Sequence, residues 1–212
     1  MKGFYFITDA HLSRAGNMSD VRDALKAGVK VVQYRDKEAS TRGMFEEALK
    51  LRRICRKAVF LINDRVDIAL SVNADGVHLG QDDLSYGVAR KLLGRNKMIG
   101  VTVHSLKEAK EAQRLGADYV SISPIFATQT KLDAGFPKGI VLIKEIRKHI
   151  RIPIAAIGGI NLSNARGVIE AGADALCAIS AVVAKRNLRG EIEKFQTLFK
   201  RPVSKKWIKT KP

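Results

Sequence analysis

The chain has 212 residues, 46% of them apolar, enough for one full hydrophobic core. No apolar run approaches the roughly 20 residues of a membrane span, and the short apolar stretch of MKGFYFITDA lacks a signal-peptide pattern, which sets membrane-spanning and secreted classes aside. Against 21 acidic residues stand 38 basic ones, a net +17 that suits nucleic acid or small anions as partners.

The first strand is predicted at Phe4–Thr8 and the first helix at Asp20–Ala27. The second strand, Val29–Tyr34, exits through Gln33-Tyr34-Arg35-Asp36-Lys37. Alternate residues of an extended strand share a face, so Gln33, Arg35 and Lys37 point together. Two cations and an amide at a strand exit suit a phosphate or diphosphate, the arginine as a planar fork and the lysine as a mobile charge. A solvated charged rim has the same composition. Helix Thr41–Arg56 then leads into LINDRVDIALSVNADGVHLGQDD at Leu61–Asp83. There the strand Val59–Ile62 ends at Asn63-Asp64. Helix Arg65–Val72 places Val66, Ile68, Ala69 and Val72 on one side, and strand Val77–Leu79 ends in Gly80-Gln81-Asp82-Asp83. So short a unit favours a right-handed crossover between parallel strands, which brings Asp64 and one of Asp82 and Asp83 to the same rim. Beside Asn63 such a pair can seat Mg²⁺, which takes one or two carboxylates and fills its shell with water and phosphate. Capping of the next helices is the competing role.

Strands Met98–Val103, Tyr119–Ser123, Ile154–Ile157 and Ala175–Ile179 alternate with helices Tyr86–Leu93, Leu106–Leu115, Ile140–Lys148, Ser163–Ala171 and Arg189–Lys200. Thr102 can donate a hydroxyl to phosphate; His104, just beyond, is a proton carrier or a structural hydrogen-bonding residue. The sixth strand runs through Ser123-Pro124 to Thr128-Gln129-Thr130-Lys131, two hydroxyls and a cation on one loop. The seventh ends in Gly158-Gly159 and the eighth in Ile179-Ser180, the two turns where β/α barrels bind phosphate through backbone N–H groups. Gly159 permits close backbone approach, and Ser180 adds a hydroxyl. Eight β/α alternations imply a parallel sheet covered by helices, and eight strands close a TIM barrel; an open doubly wound sheet is the competitor. Ala27-Gly28-Val29, Asn73-Ala74-Asp75, Leu115-Gly116-Ala117-Asp118 and Ala171-Gly172-Ala173-Asp174 repeat one signature between a helix and the next strand. A site with one region of cations and metal and another of backbone donors implies joining two phosphorylated substrates with loss of diphosphate.

Cys55 and Cys177 lie far apart without CxxC spacing, which disfavours a disulfide framework or zinc site and makes a reducing cytoplasm the default. Lys200–Pro212, KRPVSKKWIKTKP, holds six basic residues and no acid, so +11 remains without it. With two prolines and no periodicity, 201–212 reads as a disordered basic tail that binds polyanions without specificity, and 1–200 as one catalytic domain. No specific nucleic-acid site is expected. Homo-oligomerisation is left open.

These motifs together resemble the thiamine phosphate synthase (thiamine-phosphate pyrophosphorylase) family: QYRDK, INDRVDIAL, ADGVHLGQDD, GVTVHS, TQTK, AIGGI and GADALCAIS stand in the family's order between Phe4 and Ser180. The resemblance implies a TIM barrel that condenses 4-amino-2-methyl-5-hydroxymethylpyrimidine diphosphate with 4-methyl-5-(2-hydroxyethyl)thiazole phosphate. The products would be thiamine phosphate and diphosphate, formed through a pyrimidine-stabilised carbocation. Carried over by position, Gln33, Arg35, Lys37 and Asn63 would hold the pyrimidine diphosphate, with Thr102 adding its hydroxyl. Asp64 and Asp83 would bind Mg²⁺, and Lys131 would reach the leaving diphosphate. Thr128 and Thr130 would face the thiazole phosphate, cradled by Gly159, Ile179 and Ser180. Arg35, Lys37, Thr102 and Lys131 would carry the catalysis. Thr102 replaces the usual serine and keeps its hydroxyl, whereas Ser123 replaces a glycine and Ala127 a proline, changes that bear on how the thiazole approaches. Related thiazole tautomerases use a histidine that matches His104, but tend to lose the metal and diphosphate residues kept here. A basic, non-catalytic, polyanion-binding barrel would leave Asp64 and Asp83 unexplained.

Overall fold

The computed structural model describes residues 1–130 and 135–200. Runs rich in β-branched and aromatic residues form the strands. These are β1 (Gly3–Ile7), β2 (Val31–Tyr34), β3 (Val59–Asn63), β4 (Gly76–Leu79), β5 (Met98–Val103), β6 (Tyr119–Ile122), β7 (Ile154–Ala156) and β8 (Ala175–Leu176). Between and after them lie α1 (Asn17–Lys26), α2 (Thr41–Ile54), α3 (Val66–Ser71), α4 (Tyr86–Leu93), α5 (Leu106–Leu115), α6 (Gly139–His149), α7 (Ala165–Glu170), α8 (Ser180–Val183) and α9 (Leu188–Lys200). Each strand pairs in parallel with the next and β8 with β1, closing a single-domain TIM barrel rather than an open sheet. Helix α1 starts three residues before its predicted start. The single turn α8 was not predicted, because SAVV carries neither a capping side chain nor a full apolar period.

Apolar residues sort by strand face into two cores. Outward-facing Phe4, Phe6, Val32, Phe60, Ile62, Val77, Ile99 and Val120 pack under the helices. Inward-facing Tyr5, Ile7, Val31, Leu61, Tyr119, Ala155, Ala175 and Cys177 fill the barrel. Local chemistry agrees with the boundaries. Ser105 and Glu108 form a capping box at the head of α5: the serine Oγ accepts from Glu108 N at 3.2 Å and Glu108 Oε2 from His104 N at 2.7 Å. The same helix ends at Gly116, whose left-handed φ of 93° only glycine takes without strain.

The repeated signature is a clamp at the N-terminal end of the barrel. Asp75, Asp118 and Asp174 each accept an N–H from the first two residues of the strand beside their own, from Phe60 (2.8 Å), Ile99 (2.8 Å) and Ile154 (2.9 Å). Each also pairs with an arginine of the helix that leads into that strand: Arg52, Arg90 and Arg147, at 3.0, 3.0 and 2.9 Å. The fourth copy, Ala27-Gly28-Val29, has no aspartate. There Gln196 of α9 accepts from Phe4 N (3.3 Å) and donates to Gly28 O (3.4 Å), taking the place of both partners.

Candidate active site

At the opposite end the strand termini and their loops surround one cavity. Gln33, Arg35, Lys37, Asn63, Thr102, Thr128, Thr130, Gly159, Ile179 and Ser180 all line it, with Tyr5, His78, Ser121 and Ser123 added by the structure. Lys131 lies outside the described residues, as does the basic tail 201–212.

The end of β2 is fixed to the end of β1. Thr8 N donates to Gln33 O at 3.0 Å, and the Thr8 hydroxyl accepts from Arg35 N at 2.9 Å and donates to Arg35 O at 3.1 Å. Behind the Arg35 guanidinium, at 3.9 Å, stands the buried carboxylate of Asp9, which also accepts from Leu12 N. Asp9 escaped the sequence reading because it stands just past the predicted strand, where a lone carboxylate gives no signal of its partner. Its arginine partner is distant in the chain but adjacent across the β1–β2 register, Ile7 facing Gln33.

Asp64 and Asp83 meet at the rim. Asp64 follows β3 directly, at a φ of 61° that costs a non-glycine residue energy, though aspartate tolerates it better than most. Its carboxylate pairs with the Lys37 ammonium. Asp83 accepts from Gly80 N at 2.7 Å, and its carboxyl lies against that of Asp64. Burial first, and then the Asp64 carboxyl, holds the Asp83 group above the usual carboxylate range, while Gly80 N–H and Lys37 pull it down. Neither residue caps a helix: the positions before α3 and α4 belong to Arg65 and Ser85. Asp82 is exposed, whereas Asp83 is half-buried. Among the described residues no cluster of three or more His, Cys, Asp or Glu side chains could hold a metal. The site thus offers two adjoining carboxylates, a donor set that fits a hard, water-rich cation such as Mg²⁺ and suits zinc poorly.

The far side of the cavity is backbone. Gly158 and Gly159 take φ of 101° and 61°, and a side chain at Gly159 would strike Ala127 O at 2.4 Å. That closeness lets the β6–α6 loop bond onto the β7 turn, Ile125 N to Ile157 O at 2.9 Å and Phe126 N to Gly158 O at 3.0 Å. Thr128 Oγ1 accepts from Thr130 N (3.2 Å) on the same loop. His104 stands outside the cavity lining, its Nδ1 held at 2.7 Å by Ser123 O. His78, inside the barrel, was read as part of an apolar strand. Its position, two residues after the inward-facing Gly76, was the available signal.

Comparison with known proteins agrees with this geometry. The family model described as Thiamine monophosphate synthase matches residues 4–182. The chain is 51% identical over 199 residues to the thiamine-phosphate synthase of Methanosarcina barkeri, covering 93% of this chain and 90% of the relative. It is 53% identical over 193 residues to that of Methanosarcina mazei, covering 91% and 80%. The solved thiamine phosphate pyrophosphorylase from Pyrococcus furiosus superposes with a TM-score of 0.86 at 40% identity, over 93% of this chain and 95% of that one.

Proposed function

The chain belongs to the thiamine monophosphate synthase family and is a transferase, and on that premise we propose that it condenses an aminopyrimidine diphosphate with a thiazole phosphate, releasing thiamine phosphate and diphosphate. One observation carries this reading: a single cavity has the cations Arg35 and Lys37 on one side, where Lys37 pairs with Asp64 of the adjoining carboxylate pair at the rim, and a glycine-lined backbone turn on the other. Two anionic groups can be held there at once without sharing a cradle.

Arg35 and Lys37 bind the diphosphate as fork and point charge, and Asp9 keeps the Arg35 guanidinium aimed. Gln33 and Asn63 orient the pyrimidine. Thr128, Thr130, Gly159, Ile179 and Ser180 take the thiazole phosphate, and Lys131 is assigned to the leaving diphosphate. Asp64 and Asp83 would hold Mg²⁺, which when bound neutralises charge on the diphosphate. The electron pair of the breaking C–O bond leaves with diphosphate, and the thiazole nitrogen lone pair forms the new C–N bond to the ring methylene. Cations fixed before the bond breaks favour that separation because they need no reorganisation as charge develops. The balance needs no proton transfer, so no general base is required and the placement of His104 outside the cavity costs nothing. Purified protein given both phosphorylated substrates, with and without Mg²⁺, is expected to make thiamine phosphate and diphosphate together and only with the metal. A folded protein that makes neither would overturn the reading.

A further inference from the structure

Along the cavity floor a chain of side chains crosses the barrel from Gln33 to Thr102, the two residues that line opposite parts of the pyrimidine side. Gln33 Nε2 donates to Tyr5 Oη, which lies 2.8 Å from Tyr119 Oη. Tyr119 Oη is 2.8 Å from His78 Nδ1, and His78 Nε2 is 2.8 Å from Thr102 Oγ1. Gln33, Tyr5, Tyr119 and His78 are all buried. Room for the Tyr119 ring exists because residue 100 is glycine: a Cβ there would lie 2.0 Å from the ring's Cζ. The arrangement is thus built into the strand sequences, and four of its five members are buried.

Hydroxyls and neutral imidazoles pass a hydrogen bond onward, accepting on one side and donating on the other. Burial raises the phenol pKa of both Tyr5 and Tyr119, so both keep their protons. The chain then has two self-consistent directions. In one, Thr102 spends its proton inward on His78 Nε2 and the run ends with Tyr5 donating to the Gln33 carbonyl. In the other, Gln33 Nε2 donates inward, the run ends with His78 Nε2–H donating to Thr102, and the Thr102 proton is left for the cavity. Phosphate oxygens only accept, so an anion at Thr102 selects the second direction. Gln33 Oε1 is then the end of the amide that faces the ligand. It has no partner among the described residues and is not one of the buried unpaired atoms, so it reaches the cavity.

We propose that this relay makes Tyr5, Tyr119 and His78 positioning residues that couple anion binding at Thr102 to ring choice at Gln33. The site therefore prefers a pyrimidine with an exocyclic N–H donor over an oxo ring that presents an acceptor. This rests on the reading above for which substrate lies at each end. A mismatched oxo ring would set two carbonyls against each other, a penalty a site built on buried hydrogen bonds cannot relieve by turning the amide alone.

Two measurements test it. The ¹⁵N NMR signals of His78, recorded with inorganic diphosphate and Mg²⁺ present, are expected to show a neutral ring protonated at Nε2; protonation at Nδ1 would overturn the relay. Tyr119→Phe removes the central link without touching the cavity lining. Its ratio of kcat/KM for 4-amino over 4-oxo pyrimidine diphosphate is expected to fall roughly tenfold, and an unchanged ratio in the folded variant would overturn the coupling. Should that variant fail to fold, the wild-type tautomer decides alone. A wild-type protein with no condensation activity would overturn the functional reading and the ring assignment with it. Condensation with His78 protonated at Nδ1 would overturn the relay and leave the function standing.

Discussion

The two ends of the barrel use the same residue types to opposite effect. At the N-terminal end Asp75, Asp118 and Asp174 each face an arginine and a backbone N–H, so each of the three carboxylates is matched by a cation. At the C-terminal end Asp64 and Asp83 lie against each other, with Lys37 as their near cation and a left-handed backbone at Asp64. The first arrangement lowers the energy of the empty protein. The second raises it, and so keeps interaction energy in reserve for a cation and a substrate. Aspartate here does not mean one thing; its neighbours decide whether it fastens or waits.

Substitutions at the two ends should separate cleanly. The largest effect is expected from Asp83→Ala or Asp64→Ala, which should lower kcat by about two to three orders of magnitude at saturating Mg²⁺. Thermal melting should be unchanged or slightly improved; near wild-type turnover would remove both residues from the metal site. Next comes Asp174→Ala at the clamp, which strands the Ile154 N–H and leaves the Arg147 guanidinium only the Ile150 and Ile152 carbonyls. A loss of about 1–3 kcal/mol in chemical denaturation should leave turnover per folded molecule intact. Smaller is a pH effect in metal-free protein. Because the folded state holds the Asp83 proton above its ordinary range, the stability from this group is complete below the unfolded carboxyl value. It is lost as pH rises through the raised folded value. Denaturation midpoints across that window should fall with pH, and added Mg²⁺ should flatten the slope. Least affected should be His104→Ala, with condensation rates within a few-fold of wild type. A collapse of activity without unfolding would place proton transfer in the reaction after all.

Much of this contrast was readable in advance where chemistry is local. The β/α alternation, the shared face of Gln33, Arg35 and Lys37, and the meeting of Asp64 with Asp83 all follow from period-two strands and a short crossover. The clamps were half read. Their glycines announced a helix end, but the role of the aspartates depends on an arginine two elements away. Asp9 and the interior relay were not legible for the same reason. Tyr5, His78 and Tyr119 sit in runs that look uniformly apolar, and only barrel closure turns all three toward one axis. Whether Asp82 or Asp83 faced the rim also lay beyond spacing alone, because the Gly80 turn decides it.

The glutamine clamp between α9 and β1 has a consequence for the chain as a line. Gln196 reaches across from helix α9 to the first strand and binds Gly28 as well, so α9 is fastened to β1 at the place where an aspartate and an arginine fasten the other neighbours. The barrel is in effect a ring with one cut, and the place of the cut is arbitrary. New ends at the exposed Arg95-Asn96 turn, with a linker joining Lys200 to Gly3, should leave the same four fastenings and the same cavity. Order along the gene is then a matter of bookkeeping, whereas order around the circle is what the physics reads.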